Sequence, residues 1–303
     1  MTTETLTERL LDRLWADYCA RVPYARTYAE LVQQQGGTVV NDHCAFRTFN
    51  THTGGQTPGF EAIGRVLESL GYQKIAPYHF PSKHLNSFHY EHANERFPKF
   101  FVSQLEVHEL PEATARLIQE AVADTPNLLA GTPTAWLEEL RAKGELSDEN
   151  ATHLVNVLVN FFARPWAPPL RSTVEAVNEV SQFGAWTLLH GNSVNHFTAY
   201  INHQNVPDWP DIEVTIEGLK VANVPMKPEI EGERGSKLRQ SSTQAVKEAV
   251  PVREADGSEG TLEWTYAYYE LAERGYVEEN GEQVWFNGFL GEQATNLFEM
   301  TKK

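Results

Sequence analysis

Basic residues, cysteines and long apolar runs are all scarce in this 303-residue chain. Lysine and arginine number 25 against 41 aspartates and glutamates, a formal charge of −16. A field of that sign repels phosphate backbones, which argues against nucleic-acid binding as the main role. Cys19 and Cys44 are the only cysteines, too few for a disulfide framework or a structural thiolate zinc site. No apolar run approaches the length of a membrane span, so no membrane partner is expected. The opening MTTETLTERLLDRLW has neither an apolar signal core nor a basic transit character, which predicts a cytoplasmic protein. A glycine-rich phosphate loop, a nucleophile elbow, a CxxC pair and HExxH are also missing. What is present is 41% hydrophobic content with 15 Phe, 11 Tyr and 7 Trp, ample for a packed core and too much for disorder. The length allows one large domain or two modules.

Residues 5–33 read as helix, with Leu6, Leu10, Leu11, Leu14, Tyr18 and Val22 three to four apart and an interruption at Pro23. Gly36-Gly37 breaks that pattern, and 38–49 (TVVNDHCAFRTF) has strand composition. A helix at 60–70 stops at Gly71, and extended stretches follow at 73–80, 84–92 and 99–108. Residues 111–182 read as helical. Within them HLVNVLVNFF, apolar nearly all round, predicts a buried helix, and Ser172 with Glu175 forms a capping-box signature. Strand character is predicted over 186–203, helix over 211–223, and extended chain around 226–233, 236–252 and 261–274.

Each half therefore reads β-α-β-β-β. His43 lies 17 residues before Phe60 at the first helix, and His196 lies 16 before Ile212 at the second. Late in each half, Ser103-Gln104-Leu105-Glu106 aligns with Tyr269-Glu270-Leu271-Ala272. A degenerate duplication follows. The expected fold is α+β, two such modules forming a cupped mixed sheet. The expected division is an N-terminal helical segment (1–36), a first module (37–110), a helical insertion (111–183) and a second module with a C-terminal helix (184–303). Together they would make one compact catalytic domain.

In a duplicated cup, matching strand positions converge, and here they offer His43, Gln104, His196 and Glu270. Two imidazoles and a carboxylate on rigid strands form the facial triad that suits non-haem Fe(II). Each residue also has a plainer reading. Histidines are commonly hydrogen-bonded surface groups, Glu270 alternates with Tyr269 and Leu271 on a strand that could face outward, and Gln104 could be a polar strand residue rather than a neutral group facing substrate. His84, His89 and His92 form a denser cluster, but His89 and His92, three apart on a strand, face opposite sides, so the three read as surface or edge residues, with lining of the cup as the alternative. His190 is the main rival ligand. Arg47, four residues after His43, shares its strand face and is suited either to gripping a carboxylate or to pairing with a protein acid. Ser236, Arg239, Gln240, Ser241 and Ser242 form a polar cluster that would bind a polar ligand or line a wet edge, and Lys83 is a similar candidate. Cys44 should point away from the His43 face and is not assigned as a nucleophile.

VNDHCAFRTF, YHFPSKHLNSF, FVSQLEV, NSVNHFTAYI, GSKLRQSSTQ and TYAYYELAERG, in this order, resemble the 2-oxoadipate dioxygenase/decarboxylase (hydroxyglutarate synthase) family over roughly residues 38–300. That family is a divergent relative of the vicinal oxygen chelate fold. The tail, NGFLGEQATNLFEMTKK, is also similar in layout to the loop and closing helix of 4-hydroxyphenylpyruvate dioxygenases. The resemblance implies Fe(II) held by His43, His196 and Glu270, with Arg47 on the substrate carboxylate. It implies conversion of 2-oxoadipate and O2 to 2-hydroxyglutarate and CO2 in lysine breakdown, the substrate supplying all the electrons. An oxygen-independent metal-dependent isomerase or lyase of the same fold, and a binding protein that has lost turnover, are the alternatives. Oligomeric state is left open.

Overall fold

The computed structural model describes residues 1–290. Two helices lead, α1 (Thr3–Arg21) and α2 (Pro23–Gln34), with Pro23 opening the second, where a missing N–H costs nothing. The apolar stripe of α1 is buried from Leu6 to Tyr18, and the Tyr18 hydroxyl donates to the Tyr268 carbonyl. β1 (Asn41–Phe49), α3 (Gly59–Ser69), β2 (Tyr72–Phe80), β3 (Leu85–His92) and β4 (Lys99–Leu105) form the first module. Gly71 follows α3 at φ +90°, a conformation that favours glycine.

Five helices come next: α4 (Glu112–Val122), α5 (Thr132–Lys143), α6 (Asp148–Phe161), α7 (Arg171–Asn178) and α8 (Gln182–His190). Two local expectations fail here. α6 buries one face (Ala151, Leu154, Val155, Leu158, Phe161) while Thr152, Asn156 and Asn160 stay exposed, so its asparagines mark a wet side. The Ser172/Glu175 capping box is not used, because α7 starts at Arg171 with Leu170 as its N-cap. Ser181 caps α8 instead, accepting from Gly184 N.

The second module contains β5 (Val194–Tyr200), α9 (Ile212–Val221), β6 (Leu238–Ser242), β7 (Lys247–Arg253), β8 (Glu259–Thr265), β9 (Glu270–Arg274), β10 (Tyr276–Glu279) and β11 (Glu282–Trp285). The strand expected from 186 begins only at Val194. Residues 186–190 belong to α8, and Gly191 at φ +65° separates the two. The expected single stretch over 236–252 is also divided. The chain leaves the sheet after Ser242 to build the separate hairpin β7–β8, whose inward residues Val250, Val252, Leu262 and Trp264 are buried.

The main sheet has the order β2-β3-β4-β1-β5-β9-β6. β1 and β5 meet antiparallel at its centre, β1 runs parallel to β4, and β5 runs parallel to β9. The halves are thus related strand for strand, with β3 matched by β6. The counterpart of β2 is reduced to 226–231, which lies antiparallel to β6 through the Met226–Thr243 and Glu231–Gln240 bridges. The architecture is the expected α+β cup. The predicted C-terminal helix, in 291–303, falls outside the described residues.

Candidate metal centre and its cavity

The antiparallel pairing of β1 with β5 sets Ala45 opposite His196 and His43 opposite Thr198. It brings the two imidazoles together with ring centroids 5.4 Å apart and Nε2 atoms 3.4 Å apart. β9 lies beside β5 with Glu270 next to Thr198. Glu270 Oε1 is 3.7 Å from His43 Nε2, and Oε2 is 3.5 Å from His196 Nε2. All three residues are buried, and they are the one group of this kind among the described residues.

Both imidazoles are aimed by the residue before them. His43 Nδ1 lies 2.7 Å from Asp42 Oδ2, and His196 Nδ1 lies 3.1 Å from Asn195 Oδ1. These acceptors assign the ring proton to Nδ1 and leave each Nε2 a lone pair on the Glu270 side, with the Thr198 hydroxyl also 3.0 Å from His43 Nε2. Neighbours on a regular strand point to opposite faces. The β1–β5 ladder, however, shifts register at Asp42 and again at Asn195, and such bulges re-aim side chains. The two sites match under the duplication that equates His43 with His196.

Arg274 holds Asp42 in turn, donating from Nε to Oδ1 at 2.5 Å and from Nη2 to Oδ2 at 2.8 Å. Burial would raise the Asp42 carboxyl, but Arg274 and the His43 hydrogen bond hold it well below the usual range. Burial lowers His43 against the opposing pull of Asp42. Burial, His43 and Arg47 together push His196 well below 6.5. Both rings are therefore neutral and able to ligate.

Glu270 is pushed well above the ordinary range by burial and by Glu231 and Asp42, a rise opposed by the hydrogen bond from Gln240 Nε2 to Oε1 at 2.6 Å. Its Oε2 has no hydrogen-bond partner. A buried carboxylate with an orphaned oxygen, set between two inward lone pairs, is expensive unless a cation joins it. Two nitrogens and one oxygen converging from one side fit a divalent first-row metal with open positions.

Arg47 borders the same cavity, and Nη1 has no hydrogen-bond partner. Its guanidinium lies 4.8 Å from the ring centroids of Phe183 and Trp186, and burial lowers it to about 10. Phe80, Phe101, Tyr268 and Phe289 supply apolar wall.

Four of the residues expected at the site are elsewhere. Gln104 faces α3, accepting from Phe60 N at 2.9 Å and donating to Glu106 at 3.2 Å. Alternation along β4 gives the cavity Phe101 and Ser103 instead. The ladders also correct the alignment of the halves. Ala45 pairs with Phe101 where Thr198 pairs with Glu270, so Phe101, not Gln104, is the counterpart of Glu270. Arg239 is held by Glu213 and Glu273, and the Ser241 hydroxyl donates to the Glu229 carbonyl, both away from the cavity. Gln240, between them on β6, does line it. Lys83 ends a single 3₁₀ turn (Pro81–Lys83) and does not border the cavity.

His190 packs on Trp186 and Tyr266 with Glu248 at 3.3 Å, apart from the triad. His84 pairs with exposed Glu109. His89 is buried beside Tyr78 and Phe289, so its surface or edge reading does not hold. Cys44 is buried in the core. Sequence reasoning missed Asp42, Asn195, Phe101 and Arg274. The one available signal for the first two was an Asp or Asn directly before each candidate histidine.

A cupped sheet from two related modules, with a buried His-His-Glu group on β1, β5 and β9, defines a glyoxalase-like, vicinal-oxygen-chelate-type protein with a candidate metal site. A protein assigned to the glyoxalase superfamily from Ralstonia eutropha JMP134 has this fold, with a TM-score of 0.85, 25% identity, and coverage of 96% of this chain and 88% of that one. The chain belongs to the 2-oxoadipate dioxygenase/decarboxylase family, whose profile matches residues 10–300. The chloroplastic/amyloplastic 2-oxoadipate dioxygenase/decarboxylase of Oryza sativa subsp. japonica is 26% identical over 312 residues, covering 94% of this chain and 75% of its own. The structure of hydroxyglutarate synthase from Oryza sativa in complex with 2-oxoadipate shares the fold, with a TM-score of 0.74, 21% identity, and coverage of 99% and 93%.

Proposed function

We propose that this chain is an Fe(II)-dependent dioxygenase/decarboxylase of 2-oxo dicarboxylic acids. Its foremost substrate would be 2-oxoadipate, converted with O2 to 2-hydroxyglutarate and CO2, as in lysine breakdown. The observation that carries the reading is a pair of unpartnered polar groups in one cavity. The orphaned oxygen of Glu270 faces two neutral imidazoles, and the unpartnered Nη1 of Arg47 belongs to a buried guanidinium beside them. The first calls for a metal cation and the second for an anion. A 2-oxo dicarboxylate bound between the two would satisfy both. The family to which the chain belongs supports this choice over an oxygen-independent isomerase.

His43, His196 and Glu270 would hold the metal, and bound iron would supply Lewis acidity and a site for dioxygen. Asp42 and Asn195 keep each Nδ1 proton in place, so that both Nε2 atoms keep their lone pairs, and the Thr198 hydroxyl would give way to a metal at His43 Nε2. Gln240 fixes Glu270 through Oε1 and leaves Oε2 for the metal. Arg47 would orient the distal carboxylate by a charge-assisted, forked contact. Phe80, Phe101, Tyr268 and Phe289 keep water from the reacting end. The reaction balances without an external reductant, one O2 consumed for each CO2 released.

Anaerobic loading with Fe(II), followed by an oxygen-electrode assay against 2-oxo acids of graded length, tests the proposal. Equal O2 uptake and CO2 release, highest with the six-carbon diacid, is the expected result. Turnover without O2, or with zinc in place of iron, would instead establish the isomerase or lyase reading. No helix among the described residues is long and apolar enough to cross a membrane. A cytoplasmic location is part of the proposal and is checked by fractionation.

A further inference from the structure

β9 carries Glu270 at its start and Arg274 at its end, four residues apart on one strand. Arg274 is buried, and its guanidinium makes two different attachments. Nε and Nη2 grip both oxygens of Asp42, whose Oδ2 also takes His43 Nδ1. Nη1 donates to the carbonyls of Phe286 and Gly288 at 3.0 and 2.8 Å. The segment so held places Phe289 edge-on over His43, ring centroids 4.9 Å apart, and against Phe101 at 4.8 Å. Phe289 N donates to the Tyr78 hydroxyl at 3.2 Å, and Trp285 Nε1 donates to Tyr200 at 3.1 Å.

The guanidinium is a rigid plane whose donors cannot be re-aimed independently. If Asp42 turns away from His43, that plane turns as well, and the Phe286 and Gly288 carbonyls lose their donor. If the 286–289 segment lifts, Arg274 loses two of its four bonds and Asp42 loses the partner that fixes its rotation. The residue that aims one imidazole and the segment that roofs the cavity are therefore joined through one side chain.

We propose that Arg274 is a positioning residue coupling the orientation of His43 to closure of the 286–289 segment. Occupation of the His43/His196/Glu270 site and the closed roof then stabilise each other. The coupling to occupation rests on the metal reading above, whereas the latch itself does not. Because linkage is reciprocal, a metal that favours the closed segment must be bound more weakly when the segment cannot close.

The test uses the full chain with Co(II) as the metal probe. Affinity is read by chelator competition and by the visible Co(II) spectrum, and closure by chymotryptic cleavage at Phe286, Phe289 and Leu290. In the parent chain saturating Co(II) should slow that cleavage about tenfold, as expected when a locally opening segment is closed by a ligand. Arg274→Met should bind Co(II) roughly 10- to 100-fold more weakly, the usual effect of losing an outer partner of a ligand. It should be cut faster than the parent when metal-free, and Co(II) should no longer protect it. Phe289→Ala, which leaves the Asp42–Arg274 pair in place should the first variant fail to fold, should also bind Co(II) several-fold more weakly.

Parent-like Co(II) affinity in Phe289→Ala overturns the coupling. So does parent-like protection in Arg274→Met, even with a lowered Tm, because a merely structural ion pair would behave in that way. A parent chain that binds no Co(II) sinks the metal reading. The metal-free cleavage rates of the parent and Arg274→Met then decide the latch by themselves.

Discussion

Replacing Arg47 with methionine separates the demands of binding from those of folding. Burial lowers the guanidinium from 12.5 to about 10. At 1.36 kcal/mol per unit, holding that charge in the cavity without a counter-ion costs on the order of 3 kcal/mol. Methionine keeps an apolar stem against Phe183 and Trp186, whose ring centroids lie 4.8 Å from the guanidinium carbon, and removes the charge. The ligand-free variant should therefore be more stable than the parent, by about 1–3 kcal/mol, or several degrees in Tm. Binding should move the other way. Truncating one side of a buried, hydrogen-bonded charge pair costs about 2–5 kcal/mol, so KM for a 2-oxo dicarboxylate should rise roughly 30-fold to several thousand-fold. A 2-oxo monocarboxylate of equal length has no distal charge for Arg47 and should change far less. Steady-state assays with both substrates and a thermal scan of the ligand-free chain provide the check. An unchanged dicarboxylate KM together with a lower Tm refutes the reasoning, since Arg47 would then be a satisfied structural cation.

Glu270→Gln should lower divalent-metal affinity by at least about 100-fold while raising the Tm of the metal-free chain at neutral pH, because a neutral amide replaces a carboxyl that folding holds well above its ordinary range at a cost in stability. Isothermal titration with Co(II) and a thermal scan read both effects, and parent-like affinity would remove Glu270 from the ligand set. Phe101→Glu places a carboxylate at the counterpart of Glu270; tighter metal binding with loss of O2 uptake is expected, and unchanged binding would show that the ladder equivalence is wrong. His190 is held at about 4 by burial, a pull that Glu248 opposes, whereas an unfolded imidazole titrates near 6.5. The unfolded chain binds the extra proton, so stability falls as pH drops from 6.5 towards 4, by on the order of 3 kcal/mol, and His190→Gln should flatten that slope in denaturant titrations. Equal slopes in the two proteins would place the proton elsewhere.

The convergence of His43, His196 and Glu270 was legible because two independent signals coincided. His43 and His196 stand at matching distances before a helix, and Glu270 is a charge inside an aromatic strand. Gln104 was misplaced because spacing counts residues, whereas equivalence in a sheet is set by ladders. The β7–β8 hairpin inserted before β9 destroys any simple count between the halves. The polar run 239–241 could not be sorted from composition, since alternation sends Gln240 to the cavity and Arg239 and Ser241 away from it. Asp42 and Asn195 were passed over for the opposite reason: strict alternation would put them behind their histidines, and only the two bulges bring them alongside. WTLLH in α8 has strand-like composition, yet all five residues are buried and tertiary packing decides for helix.

What distinguishes the two halves explains how a chain of charge −16 could attract a dianion. At the orienting position the first half has a carboxylate, Asp42, and the second a neutral amide, Asn195. Arg274 cancels the charge on Asp42, so neither orienting group adds net charge beside the rings. At the end-strand position the second half has Glu270 and the first has Phe101. A symmetric site would hold two carboxylates there, leaving a divalent ion neutralised and surrounded by four protein donors. Phe101 removes one negative charge and one donor together. On the proposed reading the ion keeps one unit of positive charge and open positions, and Arg47 adds a second unit in the same low-dielectric cavity. Two positive charges facing two carboxylates is the local balance a 2-oxo dicarboxylate requires. On that reading the degeneracy of the duplication is what would make the cup chemically competent: Phe101, at the counterpart of Glu270, would leave metal positions open to substrate and preserve the positive charge that would hold it in place.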